Sequence, residues 1–394
     1  MKAMKIVVSA VALWASMGIS RAQTTVVFDS GSNGSRGDLV ITNDTTIILP
    51  PDGILHYKSF RITNNAAVGF VKNANNTPVY LLSQGDISIG GRLYVSGGDS
   101  QGDRGPGLGG PGGFDGGRRG IATAPPGDGQ GPGAGRAGTD IASNRADSAG
   151  GGAYVNSTGN GTTNAGSIYG NAALIPLVGG SGGGGTPGFG GGGGGGAILV
   201  ASNTRIDFAN NDGNHFIDAT GGQWGTGGAY NGGSGGAVKL VAPVITGYQR
   251  IYVQNRNGTA GSGRVRLDAA NFGGADFSTV NPSYSLSYGN MLATGLEGTL
   301  PRLELVSIAG RVLPTDGISN GFILLPNGSP TNQPVVVRTR NFGTKVPVRI
   351  VVAPDNGTTQ YFDSEVDSTA GNAEKTVNVN IPANTPTKVF AWTR

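Results

Sequence analysis

The sequence predicts an all-β protein: a parallel β-solenoid (β-helix) carrying a long glycine-rich insert, followed by a small β-sandwich. Three observations predict it. First, only 4 glutamates stand against 20 aspartates and 74 of the 394 residues are glycine, well above the usual glycine share of about 7%. Glu and Lys favour helices, whereas Asp, Asn and Gly favour turns, so the bias opposes helical structure along the whole chain. Second, short apolar alternations recur between polar corners. Third, one of these alternations repeats.

The alternations come as pairs: Leu39 and Ile41, Phe60 and Ile62, Val68 and Phe70, Val79 and Leu81, Ile87 and Ile89, Leu93 and Val95. Each reads as a short strand with one buried face. The breaks, at Asn43-Asp44, Asp52-Gly53, Asn64-Asn65, Asn75-Asn76 and Gly90-Gly91, tolerate the left-handed backbone of tight corners. Spacing this short leaves no room for crossover helices. The repeat is GGAILVAS around Ala197 to Ser202, GGAVKLVA around Ala237 to Ala242, and a weaker GSGRVRLDA from Gly261 to Ala269. Units that cannot bury their own apolar face must stack on their neighbours, which is the logic of a solenoid. A β-sandwich or jelly roll is the competing architecture for this region, although the two-residue Asn-Gly and Asp-Gly hairpin loops it would use are sparse before residue 300.

The chain divides accordingly. Residues 1–22 carry Lys2 and Lys5, an apolar run from Ile6 to Met17, and small residues closing at Ala22, the layout of a signal peptide cleaved after Ala22. The apolar run falls short of the about 20 residues a spanning helix needs, and no later segment approaches that length. Export without a single cysteine leaves stability to packing and backbone pairing, and fits bacterial secretion or display at a cell surface. Residues 23–280 are the expected solenoid. Within it, 97–196 is a low-complexity insert, expected to form flexible loops or, in a sharper reading, extended polyproline-II-like rods packed on one another. Ala172 to Val178 is an apolar island that could add one more coil. Residues 300–394 show longer strands separated by turn clusters, the signature of an immunoglobulin-like sandwich, which would also cover an open end of the solenoid.

Charge excludes one class. Of 28 basic residues, three leave with the leader (Lys2, Lys5 and Arg21), so 25 face 24 acidic residues. No concentrated basic stripe remains to displace counterions, so nucleic acid is not an expected partner.

The residues that could carry chemistry are few. His56 and His215 lie far apart without a metal-ligand spacing. Arg36-Gly37-Asp38 resembles an integrin-binding tripeptide, but its chain position suits a turn. Asp212 and Asp218, with Asn210 and Asn214, alternate acceptors as part of a calcium loop does, yet lack the glutamate of an EF-hand; they are the candidate calcium ligands against the alternative of an ordinary turn. Asp99, Asp103, Arg104, Asp115, Arg118 and Arg119 form a dense charged cluster, read as solvated loop charges because nothing apolar surrounds them to hold a catalytic geometry. Trp224, Tyr230 and Tyr252 flank glycine corners, where aromatic rings either stack on sugars or cover bare backbone. No cofactor motif occurs.

On the runs Ile87 to Gly98, Gly192 to Ala201, Gly235 to Ala242 and Arg264 to Ala269, the chain from about Ser59 to Ala269 resembles glycine-rich secreted bacterial proteins of the pectin-lyase-like, right-handed parallel β-helix type. The resemblance implies a fold and an extracellular setting, and carries over no catalytic residue. The expected function is therefore structural or adhesive, with extracellular glycans or cell-surface components as partners and self-association through solenoid ends as a further expectation. The alternative is binding or cleavage of an extracellular polysaccharide.

Overall fold

The computed structural model describes residues 27–101, 105–121, 124–138, 149–157, 164–208, 215–223, 231–256, 258, 260–296, 301–313, 323–355 and 357–394. The signal-peptide reading of 1–22 lies outside them.

The expected solenoid is present, and each coil has three sides. One coil is β3 (Ile54–Tyr57), β4 (Ser59–Ile62) and β5 (Ala67–Val71); the next is β6 (Val79–Ser83), β7 (Ile87–Ile89) and β8 (Arg92–Tyr94). Then follow β9 (Ala197–Ser202), β10 (Arg205–Phe208) and β11 (Phe216–Asp218). The long β12 (Ala237–Tyr248) supplies two sides of the next coil and β13 (Ile251–Tyr252) the third. The last full coil is β14 (Arg264–Asn271), β15 (Ala275–Asp276) and β16 (Val280–Asn281). β1 (Asp38–Ile41) and β2 (Thr45–Ile48) open the stack, and β17 (Leu286–Gly289) closes it.

All pairing between coils is parallel. The first ladder runs β3-β6-β9-β12-β14-β17 and the second β1-β4-β7-β10-β12-β15, and both join in one sheet because β12 belongs to each. The third ladder, β2-β5-β8-β11-β13-β16, is a separate sheet. Like stacks on like: Leu55, Leu81, Val200, Leu240 and Leu267 form one inward column, and Val68, Leu93, Ile217, Ile251 and Val280 another. All are buried. Burying each such side chain contributes about 1.5–3 kcal/mol. The sequence repeat is this stacking, since Ala197, Ala237 and Arg264 are partners in successive rungs.

Segment 97–196 is not a set of flexible loops among its described residues. It is a bundle of extended glycine rods, joined by 219–223 and 231–236. Along 190–196 the backbone N–H groups donate in turn to Gly117, Asn231, Gly98, Phe114, Ser234 and Val95 for residues 191 to 196. Partners thus repeat every third residue: 191 and 194 bond one neighbour, 192 and 195 a second, 193 and 196 a third. Three residues per turn without internal hydrogen bonds is polyproline II geometry, in which every amide is free to bond outward. The carbonyls accept from three further directions, and the result is a hexagonal lattice. Around 180–185 stand 113–118, 127–130, 133–138, 149–153, 231–236 and 190–196, each bonded to the centre and to the next in the ring. Around 190–196 stand 95–98, 107–110, 113–118, 180–185, 231–236 and 219–223, bonded in the same way.

Close approach explains the composition. A Cβ on Gly194 would meet the Gly180 carbonyl, and one on Gly185 the Arg118 carbonyl, both closer than the 3.0 Å that real Cβ atoms keep. The longest glycine run, Gly190 to Gly196, is accordingly a rod with six neighbours. The one side chain inside the other central rod is Ser181, whose hydroxyl accepts from the Gly133 N–H at 2.9 Å. The turns nearest the solenoid need positive φ and have it at Gly112 (75°) and Gly131 (101°).

The island 172–178 is a correction: it adds no coil. Leu174 and Leu177 instead pack on the outer side of the first ladder with Leu82, Leu199 and Val241, so β9 is buried on both faces. Tyr154 and Tyr169, stacked with centroids 4.4 Å apart, join this cover to the rods.

After residue 300 the strands are antiparallel. One sheet has the order β19-β18-β20-β23 and the other β22-β21-β24, from β18 (Arg302–Ile308), β19 (Arg311–Val312), β20 (Asn332–Arg340), β21 (Lys345–Pro354), β22 (Gln360–Asp367), β23 (Ala373–Asn380) and β24 (Thr387–Thr393). Their apolar faces meet in one core built on Val335, Val337, Val348, Ile350, Val366 and Val379. Among the described residues, Lys388, Phe390 and Trp392 of this sandwich meet Asp115 and Phe114 of the glycine bundle.

Candidate functional site

Three places hold side chains that could do more than fold the chain. The first is the far end of the bundle. Rods 95–98 and 219–223 leave directly from β8 and β11, while 190–196 and 231–236 run directly into β9 and β12. All these rods therefore have one end at the same corner of the solenoid. The opposite ends are also in register: Gly185 bonds Gly127 and Gly138, Gly127 bonds Arg118, and Ser100 bonds Gln223. The described rods consequently end together at Ser100, Arg118, Gly127, Gly138, Gly185 and Gln223, remote from the strands. Trp224 and Tyr230 lie outside the described residues, as do Asp103 and Arg104. Asp99 is paired there with Arg256 at 3.5 Å.

The second place is a junction that sequence reasoning missed. Asp115, read from sequence as a solvated loop charge, is buried. One carboxylate oxygen accepts from Lys388 Nζ of β24 at 2.6 Å. The other accepts from the Gly109 N–H at 2.9 Å and lies 3.5 Å from Lys72 Nζ, just beyond β5. Burial pushes this carboxyl up, but Lys72, Lys388 and the Gly109 N–H outweigh it and hold it below the usual carboxylate range. Phe114 meets the rings of Phe390 and Trp392 at 6.0 and 6.3 Å, Arg118 donates to the Gly357 carbonyl, and the Tyr361 hydroxyl donates to Asp128. Solenoid, bundle and sandwich thus meet at one carboxylate. Only the tertiary arrangement of the rods shows this, because Lys72, Asp115 and Lys388 share no local pattern.

The third place is the outer face of the third ladder. Register sets Tyr94, Asp218 and Tyr252 in one outward column, while Arg92 and Phe216 occupy the next. Phe216 stands edge to face between the two tyrosines, with centroids 5.5 Å from Tyr94 and 5.4 Å from Tyr252. All three rings are half-buried. The expected residue Tyr252 is therefore joined by two aromatics that were not singled out in the sequence, whose signal was the outward position of each within its strand.

The calcium reading is only half described. Asp212 lies outside the described residues, and the carboxylate of Asp218 accepts from the Thr220 N–H at 2.8 Å, the bond of an ordinary turn. Among the described residues no group of three or more His, Asp or Glu side chains could hold a metal ion, and no helix is long and apolar enough to cross a membrane. His215 bonds Asn65 at 2.8 Å, and His56 accepts from the Asn33 N–H. The Arg36-Gly37-Asp38 stretch is a turn: Gly37 has φ of 68° and the Asp38 carboxylate accepts from Ser59.

These features define an all-β protein in which one corner of a three-sided parallel solenoid extends into a lattice of glycine rods clasped by a β-sandwich. Comparison with family models, with curated proteins and with solved structures gives no match to this chain.

Proposed function

We propose that the chain is a secreted or cell-surface protein that acts without catalysis, as a structural or adhesive element whose glycine bundle presents its remote end to a partner. The observation that supports this reading is the shared register of the rod ends. A lattice bonded through backbone in six directions is stiff, and it gathers rod ends far apart in sequence, such as Ser100, Gly138 and Gln223, on one side. Recognition residues commonly sit on loops held by a rigid scaffold. The leader-like start of the sequence supports export, and the parallel three-sided coil supports a pectin-lyase-like reading. The strand orders β18-β20-β23 and β22-β21-β24 agree with an immunoglobulin-like arrangement.

The test is binding to cells of the source organism from which the gene has been deleted. Labelled protein starting at Gln23 is compared with a variant in which 139–148 and 224–230 are replaced by glycine-serine of equal length. Loss of binding at an unchanged melting temperature supports the reading; undiminished binding overturns it.

A second reading, an extracellular glycan-binding or glycan-cleaving protein, is favoured by the Tyr94, Phe216 and Tyr252 face. Incubation with acidic and neutral polysaccharides separates the two activities: new reducing ends or unsaturated products would establish cleavage, and retention without products would establish binding.

A further inference from the structure

We propose that the outer face of the third ladder is a binding platform for an extended β-linked saccharide chain lying along the solenoid axis, with Tyr94 and Tyr252 as its stacking residues. The inference rests on the glycan-binding reading above and gives it a place and a ligand class.

Three features carry it. Successive rungs of a parallel sheet lie about 4.8 Å apart, close to the repeat of an extended β-linked hexose polymer. Tyr94 and Tyr252 stand two rungs apart, in register with Asp218 between them. A chain running along the axis would therefore set alternate sugars over the two tyrosines. The rings are also fixed beforehand: Phe216 meets both edge to face, at interplanar angles of 89° and 69°. Side chains already held by their neighbours lose little conformational freedom on binding, which favours affinity.

The polar groups suit hydroxyl-rich partners. The tyrosine column continues through Gly69 and Thr46 on one side and Asn281 on the other. Gly69 adds no side chain beside Tyr94, so the space next to that ring is open; a Cβ there would reach only the Thr46 hydroxyl, at 4.0 Å. Asp218 and Asn281 place acceptors on the same line. In the adjoining column Arg92 donates Nε to the Asn65 carbonyl at 3.3 Å, which orients its guanidinium on this face. The face thus alternates ring, carboxylate and ring, flanked by a cation, and so suits a sugar chain that is neutral or carries carboxylates.

The experiment titrates the mature protein with cellohexaose and with a hexamer of β-linked mannuronate, followed by calorimetry and by saturation-transfer NMR. The double variant Tyr94→Ala/Tyr252→Ala should bind at least about tenfold more weakly, the loss of two ring contacts. Tyr94→Phe/Tyr252→Phe keeps the rings and should stay within about twofold. Arg92→Ala should weaken only the mannuronate arm. An unchanged melting temperature in the alanine variant separates lost binding from lost fold. Binding that survives the alanine variant would overturn this platform while leaving glycan binding intact elsewhere on the protein. Absence of binding by either hexamer and by the polysaccharide panel would overturn both.

Discussion

Lys388, in the last strand of the sandwich, places its ammonium 2.6 Å from the carboxylate of Asp115, in a rod of the glycine bundle 273 residues earlier in the chain. With Lys72 on the other oxygen at 3.5 Å, this carboxylate ties solenoid, bundle and sandwich together. Its neighbours divide by exposure. Asp115 is nearly enclosed at 11% side-chain exposure, whereas Lys388 remains 49% exposed.

Removing one partner should therefore cost unequally. Lys388→Met should cost about 1 kcal/mol or less, as for other half-exposed pairs. Asp115→Ala leaves the Gly109 N–H without its acceptor and Lys72 with only the Gly109 and Gly113 carbonyls, and should cost about 2–4 kcal/mol. Calorimetry of the whole protein checks this, and equal shifts for both variants would contradict it. The pH dependence has a definite sign. The Asp115 carboxyl is held below its ordinary value of 3.8, so its contribution is complete above that value and is lost as pH falls through the lower folded-state value. Asp115→Asn should flatten the acid limb of the stability profile.

Two glycines of the insert should respond in opposite ways to alanine. At Gly194 the new methyl would overlap the Gly180 carbonyl in the middle of the lattice. The rods would have to separate, and a loss of more than about 4 kcal/mol, or no folded protein, is expected. At Gly105 nothing lies within 4 Å and φ is not positive. There alanine should be neutral or stabilise by about 0.4–1 kcal/mol, because it restricts the unfolded chain. Chemical denaturation of the two variants decides the matter; a mild Gly194→Ala would mean the lattice is looser than described.

Alkaline behaviour should report on the cover of the first ladder. Burial raises the hydroxyls of Tyr154 and Tyr169 well above the ordinary value of 10.0 and pushes Tyr80 up to about 12. Tyr154 donates to the Val178 carbonyl and Tyr169 to the Gly179 carbonyl. Raised values mean that the folded state keeps the protonated form, so this stability is whole below pH 10 and is lost as pH rises through the folded-state values, about 12 for Tyr80 and beyond the ordinary range for the other two. Phenolate absorbance from these rings should appear together with the loss of circular dichroism, and ionisation in a still-folded protein would refute the assignment.

The solenoid was legible in the sequence because its signal is local. Pairs such as Phe60 with Ile62 and Ile87 with Ile89 alternate within one strand, and the Ala197 and Ala237 repeats mark partners directly. The sandwich was legible for the same reason. The rods were visible only as one of two readings. Their hydrogen bonds link residues such as Gly183 and Asn231 to Gly192, and no side-chain periodicity records that pairing. What could be read was the uninterrupted glycine of 190–196 and 182–185, where every direction around the rod is occupied. Peripheral rods relax the requirement on their outer side, which is where Phe114 and Asp115 stand. The third-ladder face was read at Tyr252 alone, because Tyr94 and Phe216 become its neighbours only once the coils are stacked.

The interior of the rod lattice is peptide backbone with almost no hydrocarbon, and this bears on its response to temperature. Unfolding a hydrophobic core raises heat capacity as apolar surface meets water, whereas exposing amides lowers it. The rods should therefore melt with a small heat-capacity change, giving a stability curve that is broad and flat. Cooling weakens burial of oily side chains, so the lattice should hold in the cold better than the Leu55 to Leu267 column beside it.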